Sequence, residues 1–374
     1  MANRFSRLAC ALALLPLFGS APLWAKTFVY VSNADSGSVS RYQLDTQSGA
    51  LTLLGDTLAA KKIMPLAVSP DKKRLYGAVR SKPWSVISWR IDEQTGDLHQ
   101  LAMTPVAASY PYITTDRSGH YLLAASYDSD IVTSQPVNPQ GVVSGQESGR
   151  YHTGPHAHSV IADYSNHSLY VGNLGADRVL QLELHNNGAI TPIGKGYVQA
   201  EKNSGPRHSA ISPDNRFVYN LTEMSGSITQ YQRLPDGALQ KVASWPNAVA
   251  GQYHLQPGRE RSGNYSDPTP RIWAADIKIT PDGRYLYASE RTSGTVSGYR
   301  VDKQSGKLQL IGSWPVEKQP RGMAVDDSGK WLVVSGEKSA VVGSYAIDPQ
   351  SGKLTRTAQA PCGKDANWVA IVSY

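Results

Sequence analysis

Short apolar runs alternate with polar turns along nearly the whole chain, and the alternation repeats with a period of about 47 residues. The runs are rich in Val, Ile, Leu, Tyr and Thr, and are separated by Gly, Pro, Asp, Asn and Ser, which is the pattern of β-strands joined by tight turns. No helical periodicity extends beyond one or two turns. A Gly turn followed by an apolar residue marks seven successive repeats, with glycines at Gly49, Gly96, Gly141, Gly188, Gly237, Gly306 and Gly352.

A second marker follows the same period independently. It is the apolar residue that comes shortly after an Asp, Ser or Gly turn, at Val29, Leu75, Leu122, Leu169, Val218, Leu286 and Leu332. Both series have seven members, and both place one long step between the fifth and the sixth. Four short strands in each of seven repeats predict an all-β fold, a seven-bladed β-propeller with four-stranded blades.

The two ends of the chain complement each other. The first marker, Val29, has no strand segment ahead of it once residues 1–25 are set aside, whereas residues 367–372 form an extra apolar strand segment at the C-terminus. We expect the C-terminal strand to complete the blade that the N-terminal strand begins. This pairing would close the ring and leave no open sheet edge.

The first 25 residues have the pattern of a secretory signal peptide. Arg4 and Arg7 precede an apolar stretch too short to span a bilayer, and small residues follow up to Ala25. We therefore expect residues 1–25 to be removed on export to the periplasm, with residues 26–374 forming the propeller domain and no membrane insertion after cleavage. A retained N-terminal anchor is the alternative.

Composition narrows the classes of partner. The chain of 374 residues is 40% hydrophobic and can bury a large core. The net charge is +7, but Lys and Arg are scattered, so we expect no nucleic-acid partner. Without residues 1–25, Cys362 is the only cysteine, and we expect a free thiol there rather than a nucleophile. A closed propeller needs no second copy, so a monomer is expected.

The repeat also predicts which residues meet at one end of the central channel. The start of each innermost strand and the link between the second and third strands open on the same face of a propeller. This register brings together His158, Arg207, Glu223, Arg291 and Arg321. His156, His208 and Asp276 lie within two positions of the register, Asp276 because it follows the register position Ala275. The same positions in other repeats hold Asn33, Arg80, Tyr127, Asn173 and Glu337. Ionisable groups that a fold does not require, gathered at one opening, indicate a functional site.

Structural roles remain open for several of these residues. Arg207 and Arg321 follow a proline in the same local frame and could pin neighbouring blades, and Glu223 could simply neutralise them. Asp276 could cap the amides of a neighbouring strand. His156 and His158 alternate, so only one of them should face the channel.

The long step of the repeat lies in residues 244–271, which carry about 20 extra residues, including Tyr253, His254, Arg259, Arg261 and Tyr265. This insertion connects an outermost strand to the next innermost strand, so it lies on the face with the predicted site. It could form a lid over the site or a surface loop with no role in the site.

Several motifs of the chain resemble those of a known family. They are Gly205-Pro206-Arg207-His208, Trp273-Ala274-Ala275-Asp276-Ile277, Glu290-Arg291-Thr292 and Gln319-Pro320-Arg321-Gly322. The chain resembles the seven-bladed β-propeller lactonases of the 6-phosphogluconolactonase type, which are related to fungal carboxy-cis,cis-muconate cyclases. The resemblance implies hydrolysis of a sugar δ-lactone without a metal or cofactor. The cyclase branch uses a His, two Arg and a Glu, which implies that His158, Arg207, Arg291 and Glu223 form the catalytic set here.

The export signal favours an unphosphorylated substrate, because phosphorylated sugars are scarce outside the cytoplasm. The chain looks most similar to a periplasmic gluconolactonase branch, with D-glucono-1,5-lactone as the expected substrate. Either His158 or Glu223 would act as general base, and Arg207 and Arg291 would bind the oxyanion and the product carboxylate. Substrate contacts are expected from His156, His208, Asp276, Arg321, Tyr110 and Trp368, the last two as a wall for the sugar ring.

Three other functions remain as alternatives. The first is hydrolysis of the 6-phosphorylated lactone. The second is a calcium-dependent lactonase that uses Asn33, Asn173, Glu223 and Asp276 as oxygen ligands, although the arginines would repel the ion. The third is a propeller that serves only as a binding platform. A serine nucleophile is disfavoured because the chain has no Gly-x-Ser-x-Gly motif.

Overall fold

The computed structural model describes residues 26–260 and 268–374. The signal peptide predicted for residues 1–25, and Arg261 and Tyr265 of the insertion, lie outside the described residues. The described chain forms seven four-stranded antiparallel sheets arranged as the blades of a propeller. The predicted fold class is therefore confirmed.

Each blade is built from four strands that are hydrogen-bonded in order from the channel outward. In six blades the four strands are consecutive in the chain, whereas the innermost strand of blade 1 is the last strand of the chain. Blade 1 contains β28 (Ala366–Ser373), β1 (Thr27–Asn33), β2 (Ser38–Leu44) and β3 (Leu51–Leu58). Blade 2 contains β4 (Ile63–Val68), β5 (Arg74–Val79), β6 (Ser85–Ile91) and β7 (Leu98–Pro105). Blade 3 contains β8 (Tyr112–Thr115), β9 (Tyr121–Ser126), β10 (Ile131–Pro136) and β11 (Gly149–His152).

The remaining blades follow the same plan. Blade 4 contains β12 (Ala157–Ala162), β13 (Ser168–Asn173), β14 (Arg178–Leu184) and β15 (Ile190–Gln199). Blade 5 contains β16 (Pro206–Ile211), β17 (Phe217–Thr222), β18 (Ile228–Arg233) and β19 (Leu239–Trp245). Blade 6 contains β20 (Ala274–Ile279), β21 (Tyr285–Glu290), β22 (Thr295–Val301) and β23 (Leu308–Pro315). Blade 7 contains β24 (Pro320–Val325), β25 (Trp331–Gly336), β26 (Val341–Ile347) and β27 (Leu354–Pro361).

The N- and C-terminal strands close the ring. β1 pairs with β28 in antiparallel register, with Val29 opposite Ile371 and Val31 opposite Val369. The innermost strands of neighbouring blades contact one another all the way round the channel. The closure predicted from the missing first segment is confirmed, and it removes the exposed edge that an open blade would present.

Burial follows the position of a strand within its blade. The inner strands β16 and β17 are buried along their whole length because neighbouring blades cover both faces. The outermost strand β3 is largely exposed, and only its first residue, Leu51, is buried. Hence second strands such as β25 (Trp331–Gly336) appear in the sequence as nearly continuous apolar runs, while outer strands such as β3 mix apolar and polar residues.

The repeated glycine has a structural role between blades. Tyr219 of β17 donates a hydrogen bond of 2.7 Å to the carbonyl of Gly306 in the next blade, and Tyr30, Tyr170 and Tyr287 make the same bond to the repeat glycines of their neighbours. Gly96 shows why glycine is required: its φ is +71°, and a Cβ there would lie 2.6 Å from the ring of Phe28. The glycine therefore recurs with the period of the repeat because each copy makes the same contact with a neighbouring blade.

Within the described ranges the chain contains no helix long and apolar enough to cross a membrane.

Candidate active site

A β-bulge interrupts the inner strand of most blades at the channel mouth. In β16 the pairing with β17 passes from Pro206 to His208, and in β12 the pairing with β13 passes from Ala157 to Ser159. The skipped residues are Arg207 and His158. Corresponding bulges fall at Met64-Pro65, Ala275-Asp276, Arg321 and Asn367. A bulge changes the direction in which the skipped side chain points. The regular alternation of side chains between the two faces of the strand is therefore interrupted at the residues that the repeat predicts at the mouth.

Two guanidinium groups share one carboxylate in the centre of the site. Arg207 Nε donates to Glu223 Oε2 at 2.7 Å, and Arg291 Nη2 donates to the same oxygen at 2.8 Å. Arg207 is fully buried, and Arg291 is 5% exposed. Two blades therefore meet here in one ion cluster, because blade 5 supplies Arg207 and Glu223 while Arg291 follows the second strand of blade 6.

Backbone carbonyls complete the anchoring of both arginines. Arg207 Nη1 donates to the carbonyl of Ala275, and Arg291 donates through Nε to Trp273 and through Nη2 to Ala274. The Arg291 guanidinium also lies over the Trp273 ring, 3.7 Å from its centroid. Arg207 Nη2 and Arg291 Nη1 make no hydrogen bond to any described residue, so these two nitrogens remain for a ligand.

The charges of this cluster depend on one another. Burial alone would raise the pKa of Glu223, but Arg291 and Arg207 lower that pKa to about 2. Burial and the neighbouring Arg291 lower the pKa of Arg207 to about 9, which still leaves it charged at neutral pH. A carboxylate with so low a pKa accepts a proton poorly, so Glu223 is better suited to holding the arginines than to acting as a base.

His208 orients Arg207 from the other side. Arg207 Nη1 lies 3.0 Å from His208 Nε2, which must accept this bond because a guanidinium only donates. His208 Nδ1 then carries the proton and donates to Asp276 Oδ1 at 2.9 Å. Burial and Arg207 lower the pKa of His208 to about 3, so it is neutral at physiological pH, as this bonding requires.

Asp276 is a structural centre for three elements. Its Oδ1 accepts from His208 and from Lys278 Nζ at 2.9 Å, and its Oδ2 accepts from the backbone N–H of Met323 in blade 7 at 3.1 Å. Burial opposes its ionisation, but Lys278 and His208 hold its pKa below the ordinary value. Asp276 therefore links blades 5, 6 and 7, which agrees with the capping role considered from the sequence.

His158 differs from its neighbours because its imidazole makes no hydrogen bond to the described residues. Its Nδ1 is buried, and its ring lies 5.2 Å from that of His208 and 6.1 Å from that of Tyr127, measured between centroids. Burial, followed by Arg207, lowers its pKa well below the ordinary value. His158 is therefore a neutral imidazole beside cationic groups, with a ring that is not committed to the protein's own bonds.

The aromatic rings next to His208 are those of Trp368 and Tyr112, and Tyr110 is not among them. Trp368 lies 5.3 Å from Tyr112 and 5.8 Å from His208 between ring centroids. Tyr110 precedes β8 and turns into the core between blades 2 and 3, where its hydroxyl oxygen accepts a 2.8 Å bond from Gln135 Nε2. The prediction for Tyr110 is wrong because the innermost strand of blade 3 begins at Tyr112, two residues later.

His156 lies on the rim, outside the strand. β12 begins at Ala157, and His156 has φ of +63°, so the predicted alternation of His156 and His158 along one strand is not found. The His156 ring stacks on Tyr127 with centroids 4.1 Å apart, and Nδ1 lies 3.0 Å from the carbonyl of Tyr127. Its Nε2 lies 2.5 Å from Glu260 Oε1 in the insertion.

The insertion packs beside the site. Gly258 N–H donates to the carbonyl of Met224, the residue after Glu223, at 2.7 Å, and Gln256 and Arg271 form a parallel bridge. A basic cavity of about 500 Å³ opens next to it, with Arg259, Arg271, Arg291, Lys318 and Lys338 among its lining residues. The described part of the insertion therefore borders the mouth, as predicted, and its role as a lid stays a prediction.

Three further mouth residues come from the links after second strands. Arg80, Tyr127 and Glu337 follow β5, β9 and β25, and Arg321 Nε pairs with Glu337 Oε1 at 3.2 Å. The sequence analysis placed these three residues at equivalent positions of the repeat but did not include them among the predicted site residues. They could have been identified because they occupy the same link as Glu223 in blade 5 and Arg291 in blade 6.

The residues considered for a calcium site have separate partners. Asn33 Oδ1 accepts from the backbone of Gly363, and the Asn173 amide donates to the carbonyls of Gly154 and Pro155. Glu223 and Asp276 are bound to cationic side chains, as described above. Across residues 26–260 and 268–374, no cluster of three or more His, Cys, Asp or Glu side chains is arranged to hold a metal ion.

Cys362 is a free, half-buried thiol. Burial, then Glu317 and Asp56, raise its pKa to about 11. It is therefore protonated at neutral pH, which fits a thiol without a nucleophilic role.

Comparison with known proteins agrees with this geometry. The family described as "Lactonase, 7-bladed beta-propeller" matches residues 27–371. A 6-phosphogluconolactonase of Yersinia pseudotuberculosis serotype O:3 is 34% identical over 346 residues, which cover 92% of this chain and 98% of that protein. One of Erwinia tasmaniensis is 33% identical over 310 residues, covering 81% of this chain and 86% of its own length.

A solved structure shares the architecture. The periplasmic gluconolactonase of Pseudomonas aeruginosa superposes with a TM-score of 0.79 at 21% identity, covering 93% of this chain and 99% of that one. At this identity the likeness concerns the fold. The family match extends over nearly the whole described chain, and the chain therefore belongs to the seven-bladed β-propeller lactonases, a family of lactone-hydrolysing enzymes.

Proposed function

We propose that this lactonase hydrolyses a sugar δ-lactone at the channel mouth, with D-glucono-1,5-lactone as the reference substrate. The observation that carries the proposal is the neutral, uncommitted imidazole of His158 beside two guanidinium groups that one buried carboxylate holds in place. The Yersinia relative is named a 6-phosphogluconolactonase and the Pseudomonas structure a periplasmic gluconolactonase, so both names support a sugar lactone.

Arg207 and Arg291 bind the reacting carbonyl. Each guanidinium keeps one terminal nitrogen, Nη2 of Arg207 and Nη1 of Arg291, without a hydrogen bond to the described residues. These nitrogens donate to the carbonyl oxygen, where negative charge develops as water attacks. Because Glu223, His208 and backbone carbonyls already fix both side chains, little reorganisation accompanies the reaction.

His158 acts as the general base. It takes a proton from a water molecule while the water oxygen forms a bond to the carbonyl carbon, and the carbonyl π-electrons move onto the oxygen that the arginines hold. The tetrahedral intermediate then re-forms the carbonyl and breaks the bond to the ring oxygen. The imidazolium returns its proton to that oxygen, and the product is an open hydroxy acid that ionises to a carboxylate.

The depressed pKa of His158 is compatible with this role. The arginines that disfavour its protonated form also stabilise the oxyanion, and the negative charge of the intermediate offsets their effect on the imidazolium. Glu223 keeps its charge throughout and serves as a positioning residue. Trp368 and Tyr112 offer their ring faces and edges to the sugar.

The proposal is tested with purified protein and D-glucono-1,5-lactone in the presence of EDTA. His158→Ala and Arg207→Ala should each lower kcat/KM by about 100-fold or more, since one general base or one oxyanion donor contributes 10²–10³. His99→Ala, an exposed histidine on the outermost strand of blade 2, is the matched control and should be unchanged. Unaltered rates in both site variants would refute the assignment, and loss with EDTA alone would indicate a metal.

We also propose that the enzyme works in the periplasm after removal of residues 1–25, on the pattern of Arg4, Arg7 and the apolar stretch that follows. Expression of the full chain in a Gram-negative host should yield periplasmic protein that begins near residue 26. An intact N-terminus in the cytoplasmic fraction would contradict this.

A further inference from the structure

Glu290 is a buried carboxylate to which the proposed reaction assigns no role. It ends β21, directly before Arg291, and is 4% exposed. Its Oε1 accepts from the backbone N–H of Trp273 at 2.7 Å, and its Oε2 accepts from that of Ser293 at 2.6 Å. Because a carboxylate is costly to remove from water, a buried one that binds two backbone N–H groups indicates a place where the chain has to be held closely.

Both segments that Glu290 binds lie beside Arg291. The carbonyl of Trp273 accepts from the backbone N–H of Arg291 at 3.1 Å and from its Nε at 3.0 Å, and the guanidinium lies 3.7 Å from the centroid of the Trp273 ring. Ser293 belongs to the turn that follows Arg291. Gly294 closes this turn by donating its N–H to the carbonyl of Glu290 at 3.1 Å. One carboxylate therefore fixes the chain on both sides of the arginine.

The same position in other blades shows what the fold alone requires. The last residue of the second strand is Asn173 in blade 4 and Asn33 in blade 1. The Asn173 amide donates to the carbonyls of Gly154 and Pro155, and Asn33 Oδ1 accepts from the backbone of Gly363. In both blades a neutral side chain ties down the segment that leads into the innermost strand. The fold therefore accounts for a polar residue at this position of blade 6, but not for its negative charge.

The contacts of Trp273 decide where Arg291 points. Arg291 Nη2 is bound to Glu223 and to the carbonyl of Ala274, whereas Nη1 makes no hydrogen bond to the described residues. The guanidinium is planar, so the direction of Nη1 follows from the contacts of Arg291 with the Trp273 carbonyl and ring. Trp273 in turn is held by Glu290. A shift of Trp273 therefore reaches the nitrogen that faces the reacting carbonyl, where a misplacement of about 1 Å costs about 100-fold in rate.

We propose that Glu290 is a positioning residue for Arg291 as oxyanion donor. This inference rests on the proposed lactonase function. The carboxylate holds Trp273 and Ser293 through two charge-assisted bonds, which are shorter and stronger than those of a neutral amide. Glu290 acts only through Arg291, which donates to the oxygen where negative charge develops. Its loss should therefore lower kcat while KM changes little, because the interaction that it supports forms in the transition state.

The test measures hydrolysis of D-glucono-1,5-lactone above the spontaneous background. Glu290→Gln keeps the size of the side chain but replaces one oxygen by an amide nitrogen, which cannot accept from Trp273 or Ser293. It should lower kcat about 10- to 100-fold, with KM within about threefold. Glu290→Asp keeps the charge on a shorter side chain and should recover part of the lost kcat. If Glu290→Gln does not fold, Glu290→Asp takes its place, and its kcat should lie below that of the unaltered protein at a similar KM.

A double-mutant cycle with Arg291 shows whether Glu290 acts through it. Arg291→Gln should lower kcat about 100-fold, because it removes an oxyanion donor. Adding the Glu290 substitution to Arg291→Gln should lower kcat by less than about twofold further, since no guanidinium remains to be positioned. A purely structural role of Glu290 predicts the same factor in both backgrounds.

Glu317→Gln is the matched control. Glu317 is 3% exposed and accepts from the Tyr345 hydroxyl at 2.8 Å and from Gln359 Nε2 at 3.0 Å. These partners belong to the third and outermost strands of blade 7. The substitution neutralises a buried carboxylate of the same kind and should lower Tm. The values of kcat and KM should stay those of the unaltered enzyme, because the partners of Glu317 are not those that hold Arg291.

Failure of this inference differs from failure of the proposed function. If the unaltered protein hydrolyses no sugar δ-lactone, the proposed function fails, and this inference fails with it. If the unaltered protein is active, three results would each refute the positioning role alone. They are an unchanged kcat in Glu290→Gln, the same loss of kcat when that substitution is added to Arg291→Gln, and an equal loss of kcat in Glu317→Gln.

Discussion

Glu223 is the residue whose replacement should affect stability and activity together. Its carboxylate is 12% exposed and accepts from both Arg207 and Arg291. Glu223→Gln keeps the shape of the side chain but removes the charge, so two buried guanidiniums then face each other without a shared counter-ion. Breaking a buried ion pair by neutralising one partner is strongly destabilising.

The size of the effect follows from the pKa of Glu223. Its pKa falls from the ordinary 4.5 to about 2 on folding, which corresponds to roughly 3 kcal/mol at 1.36 kcal/mol per unit. For a propeller of this length, with an unfolding entropy of about 2.1 cal/mol/K per residue, this is a decrease in Tm of roughly 4 °C. We also expect loss of most lactone turnover, because Arg207 and Arg291 lose their common anchor.

The pH dependence of the unfolding free energy tests this account more sharply than a single Tm value. The folded pKa lies below the unfolded one, so the contribution of Glu223 to stability is complete above about pH 4.5 and is lost as the pH falls toward 2. The free energy of unfolding, measured by urea denaturation, should therefore be roughly 3 kcal/mol lower for Glu223→Gln than for the unaltered protein at pH 7. The difference should shrink as the pH is lowered from 4.5 toward 2.

Glu201→Gln is the control, because Glu201 is largely exposed and pairs with Lys241 at the surface. That substitution should change the unfolding free energy by less than about 1 kcal/mol at any pH. If Glu223→Gln were as stable as the unaltered protein at pH 7, or if its deficit did not depend on pH, the account of the ion cluster would be refuted.

Three other predictions concern the base, the blade contacts and the insertion. As the pH rises, kcat/KM should reach its plateau before pH 6.5, the ordinary pKa of histidine, because the lowered pKa of His158 keeps the imidazole neutral to more acidic pH. A fall in kcat/KM with an apparent pKa at or above 6.5 would contradict the role of His158 as base. Tyr219→Phe should cost about 1 kcal/mol of unfolding free energy by removing the bond to Gly306, with unchanged kinetics; a change in KM would count against a purely structural contact. Glu260→Gln should speed hydrogen exchange in residues 246–260, since it removes the ion contact to His156, and equal exchange rates would show that the contact does not hold the insertion.

The repeat made the architecture predictable because a propeller uses the same local solution in every blade. Gly96 needs a left-handed backbone against the Phe28 ring, and Tyr219 needs the carbonyl of Gly306, so equivalent residues recur at a fixed spacing. The strand that joins the two termini was predictable for the same reason, since the first blade lacked one of its four strands.

Placement of site residues was predictable only to within one or two positions. His158, Arg207, Glu223, Arg291 and Arg321 were expected at the mouth, and the structure places them there. Among the neighbouring residues, however, the sequence did not distinguish Tyr110 from Tyr112, because a period of about 47 residues does not indicate where the innermost strand of one blade begins.

The number of blades, their order and their closure follow from the sequence alone, as does the expectation that His158, Arg207, Glu223, Arg291 and Arg321 lie at the mouth. The hydrogen bonds among these residues become visible only in the folded protein: Glu223 accepts from two arginines, His208 directs its proton toward Asp276, and neither His158 Nδ1 nor Arg321 Nη1 has a partner among the described residues. The strand period is a local property, whereas the bulges, burial and charges at the mouth arise from seven blades that meet only after the ring has closed.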